Sequence, residues 1–459
     1  MDIASILKLQ PNEIVDNLTE KTITLPKWEY LLRREYDSEL HPVMNKALYP
    51  DVVRSSNELE QVTRITLDFQ RLAVKRMTEL CFGIPVKRVA SPENQTQKDI
   101  ATIIDAIFMR NRIDNINIER ANLLFSGCEV LTLWYAKEDK NTIYGIESPI
   151  KIRCKNFSPV YNDELYPFFD EYGDMVAMSV KYKRKRLDET ITFFDCYTAE
   201  RHIKLEQGEK TDWQIVEDEP ITLGKIPAVY CYRPTPVWEN TSKLVYEMEW
   251  TLSRNGNYIR KNSKPLFGIF ADENIELNKE LTENQEFRSI LQFPMGSSAQ
   301  YITWQQSIES IKFQIDELKQ MFFTQLQLPD FSFESMKSTP MSGEARKQLF
   351  IDAQLKVQDE SGRLLEMLDR EVSVVKQFVK LILPQYANEI DALQIENRIT
   401  PFTITDESDK ITNYVTATGG KAIMSQIQAI RELGLSADPD RTLAEIQEDS
   451  AQSAAELSI

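Results

Sequence analysis

The spacing of apolar residues divides the first part of the chain into helical stretches. From 59 to 82, apolar side chains recur every three or four residues, and Gly83 and Pro85 follow. This period is typical of an amphipathic helix, and glycine followed by proline ends one. Signals of the same kind predict helices at 3–9, 27–36, 98–112 and 116–126. The N-terminal part of the chain is therefore predicted to be mainly helical.

The pattern then changes to the alternation of strands. Runs rich in β-branched and aromatic residues predict strands at 128–135, 175–182, 190–197, 202–205 and 229–232. Charged or Gly/Asp turns separate them, which favours an antiparallel β-region of roughly 100 residues. The basic run Lys181–Arg186 (KYKRKR) falls between two of these strands. It is interpreted first as a solvated strand end and turn, and second as a contact with nucleic-acid phosphates.

Helix-forming residues return at 243–263, where Asn255-Gly256 is expected to interrupt the helix. A small mixed segment, 265–305, follows. Strands are predicted within it at 266–270 and 300–304, with a polar Asn- and Glu-rich stretch between them.

The next predicted helix, 307–327, carries a seam of apolar residues. Its members alternate at spacings of three and four residues: Ile308, Ile311, Ile315, Leu318 and Phe322. This spacing is heptad-like, and the seam has no obvious local partner in the sequence. It therefore predicts packing between helices, and between subunits in particular.

The C-terminal part begins with a proline-bounded loop at 328–341. A long helix is predicted at 342–383, with Gly362 as the expected site of a kink. Two short helices and a glycine-pair break are predicted within 413–450, and 451–459 is expected to fray.

Length and composition narrow the class of protein. The 459 residues suffice for two to four domains at roughly 100–200 residues each. The formal net charge is -17, which disfavours a basic protein that wraps around nucleic acid. The two histidines, His41 and His202, are too few for most multi-histidine metal sites. The five cysteines lie apart without CxxC spacing and are expected to be reduced, buried thiols.

The sequence predicts no membrane association. The N-terminus lacks the basic region and cleavage site of a secretory signal. No apolar run approaches the roughly 20 residues that span a bilayer. We therefore expect a soluble protein, intracellular where it is made.

The sequence contains no recognisable catalytic motif. GxGxxG, P-loop, HExxH and GxSxG patterns are absent, and Thr418–Lys421 lacks the first glycine of a Walker motif. Asp369 with Glu371, and the cluster Asp406–Asp409, could hold Mg²⁺, but a solvated helix face is the preferred interpretation. We predict no catalytic residue, no metal and no cofactor, and therefore no enzyme.

Four segments carry a resemblance to a known family. They are Lys75–Val86 (KRMTELCFGIPV), Glu119–Tyr135, Ile308–Arg346 and Gly419–Glu448. The third contains LPD at 328–330 and SGEA at 342–345, and the fourth contains DPD at 438–440. In this order and spacing, the segments resemble the portal proteins of long-tailed, siphovirus-like bacteriophages.

The resemblance implies an α+β, portal-type fold with an α-helical stem, a mixed α/β wing with an antiparallel β-region, a small clip and a C-terminal helical crown. Portal proteins form rings, usually dodecamers, at one capsid vertex, and double-stranded DNA passes through the ring. The implied divisions are the wing at 1–240, stem helices at 241–263 and 307–327, the clip at 264–306, the tunnel loop at 328–341, a long wing helix at 342–383, and the C-terminal wing and crown region at 384–459.

The resemblance also implies sites and partners. The tunnel-loop residues expected to line the DNA channel are Asp330, Phe331, Phe333, Glu334 and Lys337. For the two phenylalanines, packing against neighbouring wing helices is an equal alternative. The basic stem residues expected to make weak DNA contacts are Arg254, Arg260, Lys261 and Lys264.

The implied partners are further copies of the chain, double-stranded DNA, the terminase large subunit, the head–tail adaptor, and the major capsid and scaffolding proteins. The implied locations are the portal vertex of the virion and, during assembly, the host cytoplasm. Two other classes stay open. One is another head–tail structural protein, which is usually much shorter, and the other is an enzyme with a carboxylate metal site.

Overall fold

The chain forms two units. The first comprises Met1–Asp330 with Asp352–Phe402, and the second comprises Phe331–Ile351 with Thr403–Ile459. The computed structural model describes residues 2–20, 23–53, 59–186, 189–209, 211–262, 266–270, 289–293, 308–330, 351–402, 407–419, 422–434 and 439–456.

The predicted helices are largely confirmed. Among the described residues up to 392, the helices are α1 (Ile3–Ile6), α2 (Pro11–Leu18), α3 (Arg33–Tyr36), α4 (Phe69–Phe82), α5 (Gln95–Arg110), α6 (Ile113–Gly127), α7 (Ser242–Asn262), α8 (Ile308–Leu326), α9 (Ile351–Ile382) and α10 (Ala387–Ala392). A π-helical turn, Trp28–Leu32, runs into α3. Short 3-10 turns lie at Ser38–Leu40, Pro42–Met44, Pro159–Tyr161 and Pro384–Tyr386.

The strands confirm the antiparallel β-region and extend it. They are β1 (Val52–Val53), β2 (Leu59–Glu60), β3 (Lys87–Ser91), β4 (Glu129–Asn141), β5 (Ser148–Phe157), β6 (Glu164–Phe169), β7 (Met175–Arg186), β8 (Glu189–Tyr197), β9 (Arg201–Gln207), β10 (Gln214–Pro220), β11 (Ala228–Tyr232), β12 (Leu266–Phe270), β13 (Ser289–Phe293) and β14 (Gln394–Arg398).

Two antiparallel sheets make up the β-region. One has the order β10-β9-β8-β7-β6, and the other has the order β11-β4-β5. Strands β1 and β2 pair antiparallel, as do β14 and β3, whereas β12 and β13 pair parallel. The sequence did not predict β5, β6 or β10 of this region, nor the shorter strands β1, β2, β3, β13 and β14. Strand β10 is exposed along most of its length, so it shows no apolar alternation.

Apolar side chains cover both faces of the five-stranded sheet. On one face, Val180 and Phe193 share a cluster with Leu131 of the three-stranded sheet. On the other face, Phe194 and Leu205 pack with α1 and α2. Adjacent strand residues point to opposite faces, so a slip by one residue would exchange the two sets. The register of this sheet is therefore fixed by apolar burial on both sides.

A third cluster joins α4, α5, α6, α8 and α9. Within it, Arg120 of α6 and Glu371 of α9 form a fully buried, bidentate ion pair with N–O distances of 2.7 and 2.9 Å. The indole of Trp134 donates to the same carboxylate at 3.2 Å. A buried charge is tolerated when it is paired and hydrogen-bonded, as it is here. The pair ties α6, α9 and β4 together inside the core.

Several sequence predictions need correction. The helix predicted at 59–82 begins only at Phe69, since 61–68 lies outside any helix or strand. Helix α7 runs unbroken through Asn255-Gly256, and α9 runs unbroken through Gly362. The basic run Lys181–Arg186 is the outer half of β7 and not a turn. The strand predicted at 300–304 and the helix start at 342–350 lie outside the described residues.

The second unit is helical in the part that the structure describes. Its helices are α11 (Glu407–Thr418), α12 (Gln426–Leu433) and α13 (Pro439–Glu456). Ser425 caps α12 by accepting from the N–H of Gln428, and Gly434 closes it with φ 68°. Three helices therefore replace the two that were predicted. Helix α13 continues to Glu456, within the stretch that was expected to fray.

Candidate functional site

Helices α7 and α8, which match the two predicted stem helices, pack against each other. An aromatic cluster anchors the C-terminal half of α8. The ring centroid of Phe322 lies 5.1 Å from that of Phe69 and 5.5 Å from that of Phe323, both edge to face. Phe322 is fully buried in the cluster that joins α4 to α9. The end of α8 is thus fixed inside the subunit.

The predicted apolar seam of α8 lies largely on the same inward side. Leu318 packs against the core that contains Phe322, while Ile311 and Ile315 are half-buried. The side of α8 away from this seam exposes Phe313, 66% accessible, and Met321, 46% accessible. Part of the seam therefore serves packing within the subunit, and the exposed apolar residues are ones that the sequence analysis did not single out.

An extended segment, Val62–Leu67, runs along α7, and we call it the α7 strap. Three of its N–H groups donate to side chains of α7. The pairs are Thr63 to Asn257 Oδ1 at 2.6 Å, Ile65 to Ser253 Oγ at 2.9 Å and Leu67 to Glu249 Oε1 at 2.8 Å. The acceptors recur every four residues, so they lie on one face of the helix. Alternate strap residues meet successive helix turns.

Gly256 explains why the strap can lie so close to α7. A Cβ atom at this position would come within 3.0 Å of the Thr63 Cγ2 methyl. The Arg260 guanidinium, one turn further on, donates to the Gln61 carbonyl at 2.7 Å and also reaches the Thr63 hydroxyl. The glycine that was expected to interrupt the helix instead makes room for the strap.

A buried ion pair lies at the other end of the strap. His41 Nδ1 lies 2.7 Å from Glu249 Oε1, and His41 Nε2 lies 2.9 Å from the Glu35 carbonyl. Both acceptors require an N–H, so His41 carries two protons. Burial opposes that charge, but the bonds to Glu249 and Glu35 outweigh it and raise the pKa of His41 above its ordinary value. Glu249 thus holds both the histidine and the strap.

The predicted DNA-contact residues are only partly described. Asp330 forms an ion pair with Lys319 of α8 at 2.9 Å. Arg254 stacks over the Trp250 ring at 5.5 Å, and Arg260 holds the strap. Lys261 belongs to the last turn of α7. Phe331, Phe333, Glu334, Lys337 and Lys264 lie outside the described residues, so their roles stay predictions.

The acidic clusters do not form a metal site in the part of the chain that the structure describes. Glu371 is engaged by Arg120, and Asp369 accepts from Asn397 Nδ2 at 2.8 Å. Among the described residues, no group of three or more His, Cys, Asp or Glu is placed to hold a metal ion. Asp406 lies outside them.

The burial of the cysteines agrees with the sequence analysis. Four cysteines are buried and Cys154 is half-buried. Burial raises the pKa of the Cys128 thiol to about 12. Within the described ranges, no helix combines the length and the apolar character needed to cross a bilayer.

The sequence analysis missed the strap and the His41–Glu249 pair. The one available signal was the spacing of Glu249, Ser253 and Asn257, three hydrogen-bond acceptors four residues apart on one helix face. Such a face normally meets solvent. Nothing in the local pattern indicates that a segment nearly 200 residues earlier in the chain lies across it.

Comparisons with known proteins end in a family assignment. No curated protein matches the chain. Among solved structures, a chain in "Virion of native gene transfer agent (GTA) particle" is 9% identical with a TM-score of 0.39, and the match covers 92% of this chain and 98% of that one. A chain in "Neck of empty GTA particle computed with C6 symmetry" is 8% identical with a TM-score of 0.37, and that match covers 86% and 94%. The family model "Phage portal protein, SPP1 Gp6-like" matches residues 16–456, so the chain belongs to the SPP1 Gp6-like family of phage portal proteins.

Proposed function

We propose that copies of this chain close into a ring, a dodecamer in the virion, at one capsid vertex, and that double-stranded DNA is packaged and ejected through its centre. The observation that carries the proposal is the family match, which spans nearly the whole chain. As a portal protein the chain is a structural component of the virion head–tail region and not an enzyme. Both alternative classes are thereby set aside.

Helices α7 and α8 are the proposed stem. Their inward sides pack within one subunit, and Phe313 and Met321 remain exposed on α8. Contiguous exposed apolar surface marks interfaces, and Phe313 and Met321 lie about two helical turns apart on α8. We assign this side to the contact with the adjacent copy in the ring, whereas the half-buried Ile311 and Ile315 lie on the inward side of α8.

The negative net charge of the subunit is compatible with a channel through which DNA moves. Each phosphate that a protein neutralises adds salt-dependent affinity, and many such contacts would hold DNA in place. A subunit of net charge -17 limits that attachment. The proposed tunnel loop, 328–341, contains a single lysine, Lys337, beside Asp330 and Glu334. Weak and few contacts let DNA slide.

The proposed docking partners follow from this role. Residues 264–306 are assigned to the clip that faces first the terminase large subunit and later the head–tail adaptor. The wing is assigned to contacts with the major capsid and scaffolding proteins. Assembly takes place in the host cytoplasm, and the finished ring belongs to the virion.

Mass photometry of the purified full-length protein tests the ring and its contact. The mass should be a fixed multiple of the 53.3 kDa subunit. Phe313→Asp combined with Met321→Asp should give single subunits, since a buried carboxylate costs several kcal/mol. Gln314→Asp places the same charge at an exposed polar position of α8 and should leave the ring intact. A monomeric wild-type protein contradicts the proposal.

Lys337→Glu tests the tunnel loop separately. The variant should assemble normally, because the change lies in the proposed tunnel loop and outside the proposed contact between subunits, and it should alter DNA packaging or retention in an in vitro packaging assay. Loss of the ring in this variant would count against the channel assignment.

A further inference from the structure

The basic run singled out in the sequence has a defined place in the fold. Lys183 and Lys185 lie on one face of β7, and Arg184 and Arg186 lie on the other, because strand side chains alternate. All four are exposed. Cations on the same face are about 6.6 Å apart, two strand residues. Four positive charges are thus concentrated at one strand end of a chain whose net charge is -17.

Carboxylates lie beside the first and last cations of this run, and Glu189 of β8 is the cross-strand neighbour of Arg186. Arg186 lies 3.8 Å from Glu206, and Lys181, further in, lies 3.3 Å from Glu164. Within the part of the chain that the structure describes, no carboxylate lies at ion-pair distance from Lys183, Arg184 or Lys185.

The two arginines rest on aromatic rings. The guanidinium of Arg184 lies 5.0 Å from the centroid of the Tyr182 ring, and that of Arg186 lies 6.0 Å from the Phe193 ring. Stacking restricts the rotamers of the side chain, so less conformational entropy is lost when it binds an anion. Both rings are buried. In the described residues from 175 to 209, no large apolar side chain is exposed beside these charges.

The backbone of this strand end is open on one side. Strand β6 pairs with β7 only as far as Lys181, so residues 182–186 have a partner on the β8 side alone. Charged side chains along an open edge oppose the addition of another strand. Tight protein contacts centre on buried apolar or aromatic anchors, and the two rings beneath these arginines, Tyr182 and Phe193, are already buried within the sheet's own cluster. Binding to a phosphate backbone, in contrast, requires only positive charges that can neutralise the phosphates.

We propose that Lys183–Arg186 form a sequence-independent contact surface for the phosphate backbone of double-stranded DNA, separate from the channel. The sheet that carries the surface packs with the three-stranded sheet on one face and with α1 and α2 on the other, whereas α7 and α8 pack in a third cluster. The surface therefore adds a DNA contact outside the proposed stem to the role of the ring.

Fluorescence anisotropy with the full-length protein and a labelled duplex of about 20 base pairs, between about 50 and 200 mM salt, tests the proposal. Lys183→Gln with Lys185→Gln should weaken binding and lower the salt slope by about 1.8, at about 0.9 per phosphate contact. The affinity ratio of wild type to variant should then shrink about 12-fold across this range. Leaving both arginines in place keeps the aromatic rings covered.

Lys137→Gln with Lys140→Gln is the matched control. These lysines are also exposed at a strand end, in β4, but Glu138 and Asp139 lie between them. The control should bind DNA within about twofold of wild type, because Glu138 and Asp139 already neutralise the two lysines that it removes. Equal losses in both variants would assign the effect to net charge and overturn the proposal, and so would unchanged binding in Lys183→Gln with Lys185→Gln.

A labelled polyglutamate probe separates DNA from an acidic protein surface. Preference for the duplex supports the proposal, and binding of polyglutamate without binding of the duplex overturns it. Mass photometry of the same samples distinguishes a lost DNA contact from a lost ring.

Discussion

The five-stranded sheet and the α7 strap are held in place by opposite kinds of interaction. In the sheet, the neighbours Phe193 and Phe194 enter different apolar clusters on opposite faces. Along α7, backbone N–H groups of the strap donate to polar side chains, and a buried ion pair fixes one end. Apolar burial scales with area and has no direction, whereas hydrogen bonds demand particular donors and acceptors. The sheet is stabilised by buried area, and the strap is positioned by matching polar groups.

The largest expected effect is on the sheet. Phe194→Ala should lower the free energy of unfolding by about 3–5 kcal/mol, because it removes a fully buried ring and leaves a cavity. Chemical denaturation measures this change. Tyr172→Ala removes a ring that is 85% exposed and should change the free energy by less than about 0.5 kcal/mol. Similar small changes for both would show that the sheet does not depend on this face.

A smaller loss is expected at the strap. Glu249→Gln removes the charge that pairs with His41 and weakens the bond from Leu67, so stability should fall by about 1.5–3 kcal/mol. Glu247→Gln, exposed two residues earlier on α7, should stay within about 0.5 kcal/mol of wild type. Hydrogen exchange at the amides of Ile65 and Leu67 should speed up only in the first variant. Unchanged exchange there would argue against the strap.

The ion pair also predicts a pH dependence that the apolar sheet lacks. The pKa of His41 is raised in the folded protein, so its contribution is complete below the unfolded value of about 6.5. That contribution is lost as the pH rises through the folded pKa. The difference in unfolding free energy between wild type and His41→Gln should therefore shrink as the pH rises above about 6.5. A difference that stays constant would mean that His41 is not charged in the folded state.

The smallest expected effect concerns two helical glycines. Gly362→Ala in α9 meets nothing within 4 Å and should stabilise the protein by about 0.5–1 kcal/mol through helix propensity. Gly256→Ala offers the same gain, but its Cβ would crowd Thr63 at 3.0 Å. We expect it to be less stabilising than Gly362→Ala, and Thr63→Ser to restore part of the gain by removing the methyl. Equal stabilisation by both alanines would show that the strap does not lie against Gly256.

The same contrast explains what the sequence could predict. Strands β7 and β8 contain runs rich in apolar, β-branched and aromatic residues because apolar clusters bury both of their faces, and their positions followed from those runs. Strand β10 is exposed and gave no such signal. The apolar residues Val62 and Ile65 fit a helical period, yet the side chains of α7 bind the backbone of that segment in an extended form. Local pattern cannot report a partner so distant along the chain.

For the functional residues too, the sequence indicated some features, and others became visible only in the structure. The apolar seam of α8 was visible as a heptad-like spacing, but spacing alone does not distinguish a partner in the same subunit from one in the next. Phe322 faces the subunit's own core, whereas Phe313 is exposed. The basic strand end at Lys183–Arg186 was visible as composition. Its open edge depends on where the pairing with β6 ends, and its stacked arginines depend on the Tyr182 and Phe193 rings beneath them. Neither can be read from the run of charges alone.

Cryo-electron microscopy of the purified full-length protein tests the central claim most directly. The account predicts a closed ring around a central hole, with Phe313 and Met321 against the adjacent copy and residues 328–341 at the narrowest point. Isolated subunits, open assemblies, or a closed ring in which these two side chains face solvent would contradict it.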